Sequence, residues 1–129
     1  MATDIKTRWL LTTSALLLAV LGVALSFLPH EILMLAGAEP VPRLVLLIQL
    51  GGAMALAWAI LNWMSRGQRV GGIYSRPLAL ANVLHFGTGS VTLLKMMTAG
   101  PVGLPETVLA VAYVALALWW AAALVTSPV

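Results

Sequence analysis

Residues 44–65 read LVLLIQLGGAMALAWAILNWMS, an apolar run bracketed by Arg43 and Arg66 that carries no charge of its own. The hydrocarbon core of a bilayer is about 30 Å thick and takes about 20 such residues as a helix. This stretch therefore reads as a transmembrane span. Three further runs of the same kind follow the same pattern, at 9–28, 77–98 and 107–126. Together the four consume most of the 129 residues and leave no room for a soluble catalytic domain. Composition agrees: 61% of residues are hydrophobic and 9% charged, against roughly 25% charged in a soluble domain. The expected fold is an all-α, four-helix transmembrane bundle, with residues 1–129 forming one integral membrane domain.

The connections divide by composition. Between the first two runs lies PHEILMLAGAEPVPR, whose apolar piece, residues 32–36, is too short to cross a bilayer and should lie at the interface. RGQRVGGIYSR, after the second run, is polar and glycine-rich, and AGPVGLPE, after the third, is a Gly/Pro turn. The basic start of the first run and the later Ala36-Gly37-Ala38 imitate a signal peptide. The apolar core of residues 9–28 is longer than the about 7–15 residues of such a segment, so a retained span is expected.

Lys6, Arg8, Arg66, Arg69 and Arg76 fall on one side of this arrangement, with Arg43 and Lys95 on the other. The positive-inside rule then places both termini in the cytoplasm. The net charge of +3 is explained by orientation, because the basic residues flank apolar runs and form no patch that would bind nucleic acid. Trp9, Trp63, Trp119, Trp120 and Tyr74 lie toward the same side and read as an interfacial aromatic belt, with Trp58 deeper.

Helices in lipid associate through close backbone approach and interhelical hydrogen bonds, which put small and polar residues on contact faces. Gly51, Gly52, Ala55 and Ala59 supply such a face on the second span, and Ala81 and Gly89 flank His85 on the third. Asn82 and His85, three apart, share a helix face, and Asn62, Ser14 and Thr13 should reach a similar depth from their own spans. An unsatisfied amide or hydroxyl costs several kcal/mol in hydrocarbon, so Asn62, Asn82 and His85 are expected to face inward. One reading makes them satisfied helix contacts. The other makes Asn82, His85, Asn62, Ser14 and Thr88 the lining of a ligand or transport site. Lys95, a turn from the outer end, should snorkel, and Gln49 enters its span to about the depth of Thr92 and Lys95.

Absences narrow the chemistry further. The chain has no cysteine, which removes thiolate nucleophiles and iron–sulfur or zinc–thiolate sites. No carboxylate falls inside the four runs, where a proton-coupled exporter usually needs one. His30 lies far along the sequence from His85, beyond the opposite end of the first span, which argues against a zinc enzyme and against a bis-histidine haem within one chain. His85 alone could be an axial ligand to a tetrapyrrole.

The FLPHEIL exit from the first span, the LGGAMALAWAILNW second span, the arginine-rich inner loop and the LANVLHFGTG of the third resemble the small four-helix bacterial membrane proteins grouped as DoxX-like or left as uncharacterised families. The resemblance extends over nearly the whole chain as a layout, with no catalytic signature to carry over. It implies the four-helix fold, a bacterial inner (plasma) membrane and, as for some members, association with quinone-linked or redox partners. The first functional expectation is a non-enzymatic accessory or scaffold subunit, packing against other transmembrane helices as a homo-oligomer or within a larger complex in contact with membrane lipid. The second is a binding or transport protein for a lipid, quinone or pigment, with a polar pocket around Asn82 and His85.

Overall fold

The computed structural model describes residues 2–68 and 75–126. Arg69 and Tyr74, which entered the orientation and aromatic-belt readings, lie outside the described residues. The elements are α1 (Ala2–Phe27), α2 (Pro29–Leu35), α3 (Pro42–Met64), α4 (Arg76–Ala99) and α5 (Leu104–Thr126), with a 3-10 turn at Ser65–Gly67. No strand occurs among the described residues. Four helices are long and apolar enough to cross a membrane, at Ile5–Phe27, Pro42–Gly67, Arg76–Ala99 and Leu104–Thr126. The chain is an integral membrane protein of the all-α class, with four spans and a short helix between the first two, as the sequence implies.

Helix ends depart from the apolar runs for local reasons. Helix α1 begins at Ala2, since a helix can continue past the lipid-soluble stretch it carries. Helix α5 begins at Leu104, within the expected loop, because Pro105 in the first turn gives up an N–H that would have had no partner there. Proline likewise stands in the first turn of α2, α3 and α4. Glu106 consequently sits in the first turn of α5, at the end of a span.

The signal-like Ala36-Gly37-Ala38 is a helix cap. Gly37 adopts φ 71°, its N–H donates to the Met34 carbonyl at 3.0 Å, and the Ala38 N–H donates to the Leu33 carbonyl at 2.8 Å. That pair of bonds is a Schellman closure, which requires the left-handed conformation glycine adopts freely.

The chain divides into two compact units, Leu11–Arg66 and Met1–Leu10 with Gly67–Val129. In the first of these, α1 meets α3 where Gly22 and Gly52 face each other. A Cβ on Gly52 would stand 2.7 Å from the Ser26 backbone nitrogen, and one on Gly22 would stand 2.8 Å from that of Leu56. The helices approach that closely because neither residue has a side chain. Gln49 donates its amide N–H to the Ser26 carbonyl at 3.3 Å, serving one of the carbonyls that the last turn of α1 leaves open. Short helix α2 packs on α3, with Leu33 buried and Met34 and Leu35 exposed.

In the other unit α4 and α5 form an antiparallel hairpin across residues 100–103. Ala79, Asn82, Phe86 and Ser90 make the buried stripe of α4, and Ala110, Tyr113, Leu116 and Trp120 that of α5. Both stripes advance by three or four residues, the spacing of one helix face. Outside these stripes the exposed residues include large apolar ones, as at Leu84, Val91, Val111 and Leu118.

The aromatic belt needs one correction. Trp9, Trp63 and Trp119 are exposed, but Trp120 is fully buried, because consecutive residues on a helix point about 100° apart. At Trp63 the Arg66 guanidinium lies 3.3 Å from the ring centroid and donates to the Trp63 carbonyl at 2.7 Å, joining cation and aromatic anchor at one helix end.

Adjacent glycines on α3 provide a test. Gly52→Ala forces a methyl against the α1 backbone and should destabilise the protein by about 1–3 kcal/mol. Gly51 is exposed, with open space at its Cβ position, so Gly51→Ala should be neutral or stabilising by up to about 1 kcal/mol through helix propensity. Thermal unfolding in detergent separates the two; equal losses would contradict the α1–α3 contact.

Candidate functional site

His85 stands nine residues into α4, about 14 Å along the axis from Arg76. Tyr113 stands nine residues into α5, about 14 Å from Leu104. A hydrocarbon core of about 30 Å places both far from headgroups. Their polar atoms meet: His85 Nε2 and the Tyr113 hydroxyl are 3.2 Å apart. Phe86 completes the cluster, with its ring centroid 5.1 Å from His85 in an edge-on arrangement and 5.2 Å from Tyr113. Edge-to-face packing at these separations adds to the stabilisation from burial.

Gly89 makes the pair geometrically available. A Cβ there would stand 2.5 Å and 2.6 Å from the Tyr113 ring carbons Cε1 and Cδ1, so the tyrosine ring lies directly on the α4 backbone. Any larger residue at 89 would push the ring away one helical turn from His85. The small residue beside the histidine thus seats the histidine's partner.

An open groove of about 360 Å³ runs alongside, lined by His85, Thr88, Gly89, Thr92, Leu93, Leu109 and Tyr113. Its volume is at the small end of the range for ligand sites. Thr88 donates to the Leu84 carbonyl at 2.6 Å and Thr92 to the Thr88 carbonyl at 2.9 Å. Both hydroxyl protons are therefore spent inside α4, and what these threonines offer the groove is oxygen lone pairs.

The residues singled out from sequence separate as follows. His85, Thr88 and Gly89 line one groove. Asn82 belongs to the same helix but is fully buried, donating its amide N–H to the Leu78 carbonyl at 2.9 Å. It is not part of the groove lining. Asn62 and Ser14 are fully buried in the other unit, and neither is without a partner. Gly52, Ala55 and Ala59 are buried on α3, while Gly51 points outward and takes no part in packing within the described chain. Lys95 is exposed. Gln49 serves Ser26, in its own unit.

Tyr113 is the site residue that sequence reasoning misses. Tyrosine in a membrane protein reads by default as an interface residue. Its place about 9 Å inside the fourth run was the available signal, since a phenol at that depth needs a partner. Among the described residues no group of three or more His, Asp or Glu side chains could hold a metal ion. No protein-family model matches the chain, and no curated protein or solved structure matches it either.

The hydroxyl bond at this site is measurable by itself. A double-mutant cycle of His85→Ala and Tyr113→Phe should give a coupling of about 0.6 kcal/mol, with an upper limit of about 1.7 kcal/mol, as for other hydrogen bonds within membranes. Repeating the cycle in a Gly89→Ala background should bring the coupling close to zero, read from reversible unfolding in mixed micelles. A coupling that survives Gly89→Ala would mean that the ring does not depend on the glycine.

Proposed function

We propose that this chain is a non-enzymatic membrane protein that binds a small lipid-soluble molecule in the groove between α4 and α5. The observation that carries this reading is the His85–Tyr113 pair, a polar contact at mid-membrane depth that opens onto a lined groove. Polar groups of this kind are costly in hydrocarbon unless paired, and an ionisable residue within a span is a functional candidate by default. The Phe86 ring and a glycine seat hold this pair at a groove wall. A buried contact with no opening would have satisfied the polar atoms equally well.

The accessory-subunit reading draws on small-residue faces, and this chain already covers most of its own. Gly22 and Gly52 close on each other's helices, and Gly89 lies under Tyr113. One observation still favours a partner helix. Gly51 is an open small residue on a face of α3 that also exposes Leu47 and Met54, where another helix could approach closely. The DoxX-like resemblance fits either role, and a bacterial inner membrane with cytoplasmic termini belongs to the same proposal.

The two readings divide on two substitutions. Leu109→Trp fills the groove, and Gly51→Leu blocks the α3 face. Native mass spectrometry from mild detergent should show a bound non-protein mass that Leu109→Trp removes and Gly51→Leu retains. Companion subunits lost with Gly51→Leu, with no small-molecule mass in any sample, would instead establish the accessory role.

Orientation has its own test, because a chain without cysteine accepts single-cysteine probes cleanly. A membrane-impermeant maleimide should label Gly100→Cys in intact cells and Gln68→Cys only after lysis. The reverse pattern would place the termini outside.

A further inference from the structure

The donor inventory of the groove restricts what it can hold. Thr88 and Thr92 have spent their protons on α4 carbonyls, and the backbone N–H groups of α4 are engaged in the helix. The hydrogen-bonding proton left for a ligand belongs to the His85–Tyr113 pair. A neutral imidazole has one donor and one acceptor nitrogen, and a phenol can both donate and accept. When Tyr113 donates to His85 Nε2, the phenol oxygen offers lone pairs to the groove. When His85 Nε2 carries the proton and donates, the phenol O–H is released to donate to a ligand. The same oxygen thus serves either kind of partner with no change in net charge.

Two further features fix the rest of the ligand's character. Among the described residues no lysine or arginine lines the groove, and an anionic headgroup would need several donors or a cation to leave water. Leu93 and Leu109 supply apolar wall, and Thr88 and Thr92, both exposed, complete the lining on α4. Thr88 and Thr92 stand about 18 and 24 Å along α4 from Arg76, depths that fall among acyl chains in a hydrocarbon core of about 30 Å.

Resting on the binding role proposed above, we infer that the groove takes a neutral, lipid-soluble molecule with a single oxygen function, a ketone or an alcohol, entering sideways from the acyl-chain region. Tyr113 reads the oxygen and His85 sets the direction of the bond.

The test uses benzophenone, a neutral ketone that inserts into nearby C–H bonds on irradiation, with the protein in phosphatidylcholine nanodiscs. Peptide mass spectrometry measures insertion in the α4 and α5 segments around Leu93 and Leu109, relative to Met54, which is 66% exposed on α3. Diphenylmethanol, with a hydroxyl, should compete about 3- to 10-fold better than diphenylmethane, which has the same shape and no oxygen, the range one net hydrogen bond provides. Tyr113→Phe should abolish that preference while helix content by circular dichroism is unchanged. Phosphatidylglycerol in place of phosphatidylcholine should leave the labelling as it was.

Equal competition by the two compounds, a preference that survives Tyr113→Phe, or displacement of the probe by the anionic lipid would each overturn the ligand class and leave the groove as a binding site. Labelling no stronger than at Met54 and indifferent to Leu109→Trp would overturn the binding role itself. Should the variant lose helix, the competition in the unmodified protein decides by itself.

Discussion

Hydrocarbon has no water with which to satisfy a polar group, and that constraint organises this chain. Every amide and hydroxyl in a span must find a partner in protein or forfeit several kcal/mol. The fully buried positions therefore include Ser14, Asn62 and Asn82. The exposed ones include Val20, Leu47, Met54, Leu84 and Leu118. Threonines that do face outward, such as Thr88, Thr92 and Thr126, turn their hydroxyls back onto carbonyls of the preceding turn. The outward faces are thus apolar like much of the interior, where a soluble helix would turn polar side chains out.

With little hydrophobic drive between helices in lipid, close approach becomes the main source of cohesion. Glycine marks where it happens. Gly22 and Gly52 let two backbones meet, and Gly89 lets an aromatic ring lie on a backbone. The second case has a chemical consequence as well as a packing one. Seating Tyr113 on α4 brings its hydroxyl to His85, and the pair then forms a wall of the groove. Packing and site chemistry here share a residue.

The spans themselves were legible because crossing a bilayer is a one-dimensional demand: a run of sufficient length and apolarity suffices, whatever it packs against. His85 and Asn82 were legible as residues needing explanation for the same reason. Their different fates were not. Three residues apart, they share a helix face in projection, yet Asn82 turns its amide to the α4 backbone and His85 reaches to α5. Side-chain length and the position of a second helix decide between those outcomes, and neither is written in the spacing.

The sequence by itself determined the all-α class, the four membrane-spanning runs and the short segment between the first two, because these follow from local composition and helix rise. Tertiary structure decided which of two adjacent glycines, Gly51 or Gly52, is a contact, which of two adjacent tryptophans, Trp119 or Trp120, is buried, and that Tyr113 is the partner of His85. Neighbours in sequence differ by about 100° around a helix. Only the placement of another helix assigns one direction to protein and the other to lipid.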